Sequence, residues 1–399
     1  MAQKIHTHLV MAIIEALRSI FIDGYYADKV IERTFKNNRR WGARDRKFVA
    51  EAVYEMVRWW RYLWIVSGEE ESDYEDVMLN LFGVWWFLNK KESTHFLKTH
   101  INAIKTNMHQ PLTRAEKESL PDWLDQLAFE ELGPAWDEII TALNQRAKLY
   151  LRANLLKMNR DQAIKELTKE EIDVLPVEGA PDAMIIPSKK NVFRTKLFQA
   201  GGFEVQDVAS QSVAYAANVK PGMRVIDACA GAGGKSLHIA SLMQNKGKII
   251  SLDVHEKKLE QLKIRARRAG ANIIETKIID TTKVIKRLEK TADVVVLDVP
   301  CSGLGVLKRN PDTKWKLTKE EYQNTLELQK DILARYSSMT KAGGRLVYST
   351  CSILPSENEK QVENFLAHNS DFKLLGTKTF LPNVEGYDGF FVATMERLS

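Results

Sequence analysis

Apolar residues in the first third of the chain recur every three or four positions. Leu9, Ile13 and Leu17 follow this spacing, and a second segment at 49–60 repeats it. An apolar stripe of this period is typical of an amphipathic helix packed on a core. No strand-like alternation persists there, so the pattern predicts an all-helical domain over residues 1–145, with most of its tryptophans in the core.

Short apolar runs follow this helical part. Strands are predicted at 150–154, 172–176 and 183–187, and a helix at 160–167 separates the first two. This strand–helix–strand–strand order is typical of a small α+β domain. We therefore predict an α+β, RRM-like insert over residues 146–205.

From Met223 onward, buried apolar runs alternate with amphipathic segments. The predicted strands are 224–229, 248–254, 273–279, 293–299, 344–350 and 389–395. The predicted helices are 235–244, 255–269, 319–341 and 356–368. Strands that alternate with helices form a parallel sheet covered on both faces. We therefore predict an α/β fold with a doubly wound, mostly parallel, Rossmann-like domain over residues 206–399.

Composition and charge change this picture only slightly. The 399 residues are 44% hydrophobic and 28% charged, as in ordinary globular proteins. The net charge of +6 favours an anionic partner, although an ordinary solvated surface is the commoner reason for such a balance. The first residues lack the apolar segment of a signal peptide, and Glu15 and Arg18 interrupt the first apolar stretch. We expect a cytoplasmic protein without membrane contact, and nothing in the sequence demands more than a monomer.

The three cysteines of the chain are candidates for chemistry. Cys229, Cys301 and Cys351 are odd in number and widely spaced, which argues against a disulfide framework. Their spacing is not that of metal ligands, so no metal site is expected. A cysteine is usually a small core residue. Here, however, each one lies at or just after the end of a predicted strand, where open parallel sheets bind their ligands.

A glycine-rich loop at the end of the first predicted strand of the α/β domain indicates a cofactor site. The segment 227–236 reads Asp-Ala-Cys-Ala-Gly-Ala-Gly-Gly-Lys-Ser and leads into a helix. Its glycines let the backbone approach a ligand, and the helix presents free N–H groups. Asp253 ends the second strand, where it could take both ribose hydroxyls, and Asp280 ends the third, facing adenine. The loop lacks the last glycine of a dinucleotide site and is too short for a P-loop, which leaves S-adenosylmethionine.

The fourth strand brings a carboxylate and a thiol to the same edge of the sheet. Its apolar run at 294–297 is followed by Asp298, Pro300 and Cys301, and Cys351 follows the fifth strand. A thiol beside a methyl donor suggests methylation of cytosine at carbon 5. That carbon becomes nucleophilic only after a thiolate adds to carbon 6, which is covalent catalysis. An ordinary thiol is only a few per cent ionised at neutral pH, so the site must favour the thiolate.

Four motifs of the sequence resemble the Sun/Nop family of RNA cytosine-5 methyltransferases. Two of them contain the cysteines, at 298–303 (Asp-Val-Pro-Cys-Ser-Gly) and 349–352 (Ser-Thr-Cys-Ser). The segments 203–211 and 389–393 resemble the residues before the catalytic domain and its last strand. Gln329, Glu357 and Asn358 also fit the family pattern.

The resemblance implies a role for each matching residue. Cys351 would be the nucleophile, Cys301 would assist release of the product, Asp298 would hydrogen-bond the cytosine edge, and Pro300 would shape the turn. From chemistry alone the two cysteines could not be ranked. The implied contacts to S-adenosylmethionine are Cys229, Ala230, Gly231, Ala232, Gly233, Gly234, Lys235, Asp253, Asp280 and Asp298. The family usually has alanine and proline where this chain has Gly231 and Ala232, so a more flexible loop is expected here.

A basic cluster in the helical part indicates RNA as the partner. The cluster consists of Lys36 and of Arg39, Arg40, Arg44, Arg46 and Lys47, the five candidates for RNA binding, and Arg58 and Arg61 follow it. Aromatic residues lie between these basic residues, which suits phosphates and unpaired bases. The competing interpretation is a solvated helix face paired with nearby acids. The segment 42–48 is similar to the NusB-like helical domain of ribosomal RNA methyltransferases in this family, which favours ribosomal RNA over transfer RNA.

The sequence thus predicts an S-adenosylmethionine-dependent RNA cytosine-5 methyltransferase that acts on small-subunit ribosomal RNA. Transfer RNA is the second candidate substrate. Two different functions would also use this fold: a methyltransferase that acts on an amine and needs no thiol, and an RNA-binding ribosome assembly factor with an inactive methyltransferase fold. A nicotinamide-dependent oxidoreductase fits the sequence less well.

Overall fold

The structure is a computed structural model that describes residues 5–187 and 190–399. The chain folds into two compact units. One unit comprises the residues up to Gln145 together with Leu307–Thr318, and the other comprises Arg146–Val306 and Lys319–Ser399. A short segment from the middle of the α/β sequence therefore belongs to the helical unit.

The helical unit is built from amphipathic helices, as the apolar spacing predicts. Its helices are α1 (Thr7–Phe21), α2 (Ala27–Asn37), α3 (Ala43–Arg58), α4 (Trp60–Ser67), α5 (Glu75–Lys90), α6 (Ile101–His109), α7 (Arg114–Lys117), α8 (Asp122–Leu132) and α9 (Trp136–Leu143). Ile13 and Leu17 of α1 and Val53 of α3 are fully buried in one apolar core. Burial of one stripe on each helix supplies most of the stability of such a unit.

The segment Leu307–Thr318 completes the helical unit through polar contacts. Lys314 Nζ donates to the carbonyl oxygen of Arg58 at 2.8 Å, and Trp315 Nε1 donates to that of Val57 at 2.7 Å. The buried Arg58 guanidinium in turn donates to the carbonyl oxygens of Leu307 and Lys308 at 3.1 and 2.9 Å. The sequence grouped Arg58 with the basic surface cluster. This grouping was wrong, because Arg58 is buried and satisfies backbone carbonyls.

The first part of the other unit is a small antiparallel sheet with the strand order β2-β3-β1-β4. Its strands are β1 (Leu149–Ala153), β2 (Leu175–Pro176), β3 (Ala183–Ile186) and β4 (Phe203–Val205), and α10 (Arg160–Lys169) lies between β1 and β2 in the chain. The strand β4 was not predicted. Its three residues are too few to show an alternating pattern.

A seven-stranded sheet forms the rest of this unit, in the order β10-β11-β9-β8-β5-β6-β7. Its strands are β5 (Arg224–Asp227), β6 (Lys248–Asp253), β7 (Ile274–Ile278), β8 (Ala292–Asp298), β9 (Thr340–Thr350), β10 (Phe372–Phe380) and β11 (Phe390–Arg397). The remaining helices of the chain are α11 (Lys196–Gln199), α12 (Val208–Ala216), α13 (Gly234–Leu242), α14 (Glu256–Ala269), α15 (Lys283–Lys286), α16 (Thr313–Lys316, in the helical unit), α17 (Lys319–Tyr336) and α18 (Glu359–His368). Strands β5 to β9 pair in parallel, whereas β11 pairs antiparallel with β9 and β10. The predicted α/β class and the mostly parallel sheet are confirmed.

The central strand β8 is buried on both faces, which explains its continuous apolar run. Val294 and Val296 pack into one apolar layer, and Val295 and Leu297 pack into the layer on the other side of the sheet. Alternate side chains of a strand point to opposite faces, so both faces must be apolar here. The apolar run ends at Asp298, at the carboxyl end of the strand.

Two details of the α/β unit differ from the prediction. The helix expected to reach residue 341 ends at Tyr336, and β9 begins at Thr340, four residues before its predicted start at Gly344. The strand β10 was missed because it is an edge strand. Only its first and last residues, Phe372 and Phe380, are buried, so its sequence shows no alternation. In the part of the chain that the structure describes, no helix has the length and apolarity needed to cross a bilayer.

Candidate active site

The parallel pairing of β5, β8 and β9 brings their carboxyl ends to one edge of the sheet. Asp227 of β5 lies opposite Val296 of β8, and Asp298 of β8 lies opposite Ser349 of β9. The loops that contain Cys301 and Cys351 leave from adjacent strands at this edge. Strands β8 and β9 lie on the opposite side of β5 from β6 and β7.

The two predicted reactive thiols are in contact. The sulfur atoms of Cys301 and Cys351 lie 3.3 Å apart, and both side chains are partly buried. The hydrogen bond to Cys351 and the burial of the side chain raise the pKa of Cys301 well above its ordinary value. A hydrogen bond therefore links the two thiols, and either sulfur can be its donor. The contact brings the two candidate thiols together and does not by itself rank them.

A lysine and a carboxylate lie beside the thiols. Lys235 Nζ forms an ion pair with Asp298 Oδ2 at 2.5 Å, and Ser349 Oγ donates to Asp298 Oδ1 at 3.0 Å. Burial disfavours the charged lysine, but the Asp298 carboxylate outweighs this effect and raises the pKa of Lys235. The ammonium also interacts electrostatically with the sulfur of Cys351. Sequence reasoning assigned Lys235 to the cofactor alone and missed its position next to the reacting groups.

The glycine-rich loop adopts a backbone that requires glycine. Gly233 has φ +88°, and a Cβ atom there would lie 2.4 Å from Leu262 Cγ. Gly231 has φ +53°, and its N–H donates to Asp253 Oδ2 at 2.8 Å. The loop is therefore tied to the end of β6 by the carboxylate that was predicted to bind ribose.

Two arginines position the carbonyl groups of this loop. Arg265 Nη1 donates to the oxygen of Ala232 at 2.8 Å, and Arg152 Nη1 donates to the oxygen of Gly234 at 2.9 Å. Arg265 is itself paired with Glu204 at 2.9 Å. Neither arginine was identified from the sequence, because both are distant from the loop in the chain. They restrain the loop at Ala232 and Gly234.

The residues around Asp253 fit a nucleoside. Each carboxylate oxygen of Asp253 accepts one backbone N–H, from Gly231 and from His255, and keeps a lone pair for a ribose hydroxyl. The next residue, Val254, is 57% exposed and offers an apolar surface to a base. Asp280 follows β7 and is exposed. Val254 was not identified from the sequence; an apolar residue directly after a strand-end aspartate was the available signal.

Three more of the predicted site residues have supporting positions. Burial raises the pKa of Cys229 well above its ordinary value, so this thiol is neutral. Ala230 is buried, and its N–H donates to the oxygen of Leu252 at 2.9 Å. Pro300 precedes Cys301, and its carbonyl oxygen accepts a hydrogen bond from Gln329 Nε2 at 2.9 Å. These contacts fix the backbone on both sides of the reacting groups.

Four of the five basic residues predicted to bind RNA are exposed on the helical unit. These are Arg39, Arg40, Arg44 and Lys47. Arg46 is partly buried: its Nε donates to the oxygen of Trp41 at 3.1 Å, and its guanidinium lies over Phe35 at 5.4 Å from the ring centre. Arg46 therefore contributes to local structure, and the role of the other four in RNA binding stays a prediction.

The sheet order, the glycine-rich loop and the carboxylate at the end of β6 define a Rossmann-like methyltransferase. The model of the family described as 16S rRNA methyltransferase RsmB/F matches residues 214–396. The model of the ferredoxin-like domain of RsmF/B-like methyltransferases matches residues 120–193.

Individual proteins resemble the chain over most of its length. A Synechocystis protein described as probable ribosomal RNA small subunit methyltransferase B is 31% identical, over 96% of this chain and 97% of the relative. The solved structure described as that of PH0851 has a TM-score of 0.79 and 26% identity, over 99% of this chain and 100% of the other. A methyltransferase homolog protein from Pyrococcus horikoshii has a TM-score of 0.64 and 26% identity, over 71% of this chain and 98% of the other.

The chain belongs to the RsmB/F family of 16S rRNA methyltransferases. It is an RNA methyltransferase, and its cofactor is S-adenosylmethionine. The predictions of the family, the enzyme class and the cofactor are confirmed.

Proposed function

We propose that the protein methylates carbon 5 of a cytosine in small-subunit ribosomal RNA through a covalent thiol adduct. The observation that carries this proposal is the contact between two thiols, 3.3 Å apart, beside the Lys235–Asp298 ion pair. A methyltransferase that acts on an amine needs neither thiol. The substrate class is supported by relatives that are described as small-subunit ribosomal RNA methyltransferases.

In the first step, the Cys351 thiolate adds to carbon 6 of the cytosine. The carbon 5–carbon 6 double bond opens, and its electron pair makes carbon 5 nucleophilic. The Lys235 ammonium stabilises negative charge at the sulfur before the addition. The Asp298 carboxylate can accept a hydrogen bond from the exocyclic amine and so orient the ring. S-adenosylmethionine, when bound, supplies the methyl group that carbon 5 attacks.

The second step removes the enzyme from the product. A base takes the proton from carbon 5, the electrons of that bond restore the double bond, and the electrons of the sulfur–carbon bond return to Cys351. Cys301 lies 3.3 Å from Cys351 and is therefore next to the bond that breaks. As a neutral thiol it can donate a hydrogen bond to the Cys351 sulfur while the sulfur–carbon bond breaks, which stabilises the departing thiolate. We assign Cys301 to this release step.

RNA would be recognised by residues outside the segments that contain the reacting groups. The exposed arginines and lysine of the basic cluster would contact phosphates. The helical domain over 1–145 and the α+β insert over 146–205 would bind RNA, and the domain over 206–399 would act on it. The target cytosine would leave its base stack to reach the thiols.

The test compares the unmodified protein with Cys301→Ala, Cys351→Ala and the double variant. Each is incubated with S-adenosylmethionine and unmodified small-subunit ribosomal RNA, and then run on a denaturing gel. An RNA-linked protein band should accumulate with Cys301→Ala, because release is blocked. It should be absent with Cys351→Ala and with the double variant, which is the matched control.

Different patterns would contradict parts of the proposal. A band with Cys351→Ala but not with Cys301→Ala would exchange the two roles. A band that forms only with transfer RNA would change the substrate. Full methylation by Cys351→Ala would show that no thiol is needed, and no methylation by any form would favour an assembly factor.

A further inference from the structure

The two cysteine loops share a short sequence that extends beyond the cysteines. Each loop reads Cys-Ser-x-Leu, at 301–304 and at 351–354. In each, the serine hydroxyl accepts the N–H two residues later, at 3.3 Å from Leu304 N and 3.2 Å from Leu354 N. The two serine oxygens, of Ser302 and Ser352, are 3.4 Å apart. The loops therefore turn in the same way and meet at their serines.

One carboxylate binds both serines. Glu357 is fully buried, and its Oε2 accepts the hydroxyl of Ser302 at 2.5 Å and also that of Ser352. Its Oε1 accepts the backbone N–H of Ser302 at 2.7 Å and Gln329 Nε2 at 3.0 Å. Gln329 also donates to the carbonyl of Pro300, so the same network reaches the residue before Cys301.

The surroundings of Glu357 indicate that its main role is not to stabilise the fold. Its hydrogen-bond partners, as the structure describes them, are neutral donors, and it forms none of the described ion pairs. Removing a carboxylate from water is costly, and replacing buried charges by apolar groups is often neutral or stabilising. A buried carboxylate that accepts several hydrogen bonds is instead suited to fixing the distance between the residues that donate to it.

We propose that Glu357 is a positioning residue that sets the separation of the Cys301 and Cys351 sulfur atoms. It acts through Ser302 and Ser352, each of which directly follows one of the cysteines. The inference rests on the proposed function only for the roles of the two thiols in addition and release. When Glu357 no longer reaches both serines, the loops lose this shared carboxylate but keep contacts such as the Gly305 N–H bond to the Cys351 oxygen, at 3.0 Å.

The first test distinguishes the effect of side-chain length at residue 357 from the effect of its charge. Glu357→Asp keeps the charge but shortens the side chain, so it cannot bind both serines. We expect kcat for methyl transfer to fall about 100-fold, because an error of about 1 Å in a reacting group has this effect. The KM for S-adenosylmethionine should stay the same. Glu357→Gln keeps the reach: its oxygen can accept the Ser302 and Gln329 N–H groups, and its amide can donate to both serine hydroxyls.

Glu357→Gln should therefore retain more activity than Glu357→Asp, within about tenfold of the unmodified protein. The exposed Glu363 of α18, the helix that follows Glu357 in the chain, provides the matched control, Glu363→Gln, which should behave as the unmodified protein. Equal kcat for Glu357→Asp and the unmodified protein would overturn the proposal. So would a Gln variant weaker than the Asp variant, since charge and not reach would then matter.

The second test measures thiol separation without RNA. Diamide oxidises a pair of contacting thiols to a disulfide: each thiol loses one proton and one electron, and the azo reagent becomes a hydrazine. The Cys301–Cys351 disulfide, mapped by mass spectrometry, should form about tenfold more slowly in Glu357→Asp, because proximity sets the rate. An unchanged rate together with unchanged kcat would reject the positioning role.

The two tests distinguish failure of this inference from failure of the proposed function. A slower disulfide in Glu357→Asp, with no RNA adduct in any form of the protein, would keep the positioning role and reject the covalent mechanism. If Glu357→Asp does not fold, Ser302→Ala and Ser352→Ala each remove one hydroxyl instead. Both should slow disulfide formation, and rates equal to that of the unmodified protein would overturn the proposal.

Discussion

Replacing Arg265 by methionine should weaken the binding of S-adenosylmethionine. Arg265 donates to the oxygen of Ala232 in the glycine-rich loop at 2.8 Å and pairs with Glu204 at 2.9 Å. Methionine keeps much of the apolar stem but removes the guanidinium. Glu204 retains a partner in Arg268, so the change does not leave an unpaired buried carboxylate.

The expected size of the effect follows from one lost hydrogen bond. A hydrogen bond from a charged donor contributes about 1.5–3 kcal/mol. The lower end applies, because the side chain of Arg265 is 26% exposed and water can partly replace the contact. If the loop must be ordered to bind, a loss of about 1.4 kcal/mol raises the dissociation constant about tenfold.

Isothermal titration calorimetry with S-adenosylmethionine measures this directly. The matched control is Arg268→Met, which also removes a partner of Glu204 but has no described contact with the loop; its dissociation constant should change less than about twofold. Unchanged affinity in Arg265→Met would refute the reasoning. Equal weakening in both variants would also refute it, because the effect would then come from Glu204 and not from the loop carbonyl.

Three further predictions concern different parts of the molecule. Asp253→Ala should weaken S-adenosylmethionine binding, since the ribose hydroxyls lose their acceptor; unchanged calorimetric affinity would exclude that role. Charge reversal at Arg39 and Arg40 should weaken RNA binding and flatten its salt dependence, and an unchanged salt slope would make the cluster an ordinary solvated face. Burial lowers the pKa of His238 to about 4 in the folded protein. Between about pH 6.5 and 4, His238 therefore binds a proton in the unfolded chain but not in the folded protein. Stability in urea should therefore decrease as the pH falls from about 6.5 toward 4, and His238→Gln should reduce this decrease; an unchanged profile would contradict the assignment.

The sequence predicted the strands that carry the site because their apolar runs end in polar residues. Asp253 and Asp298 end apolar strands that are buried on both faces. This pattern can be read without knowing which residues of neighbouring strands are paired. The 3.3 Å contact of Cys301 and Cys351 depends on the register of β8 against β9 and on the close approach of their loops. A Cβ at Gly305 would lie only 2.8 Å from the Cys351 oxygen, a constraint that exists only in three dimensions.

The positioning roles of Arg152 and Glu357 were missed for a related reason. Arg152 is 82 residues from the loop carbonyl that it contacts, and Glu357 is 55 residues from Ser302. Neither spacing is a motif, because each contact is made between separate elements. The repeated Cys-Ser-x-Leu sequence can be seen in the sequence. That the two loops are linked could be seen only in the structure, where one carboxylate binds both serines.

The segment Leu307–Thr318 has a consequence for the order in which the protein folds. The chain passes between the two units three times, after Gln145, Val306 and Thr318. Contacts such as that of Lys314 with Arg58, 256 residues apart, carry a large loop-closure entropy and form late. During synthesis the helices α1 to α9 emerge first, but the carbonyls that satisfy the Arg58 guanidinium arrive much later. The amino-terminal unit therefore cannot form these contacts until residue 318 has left the ribosome.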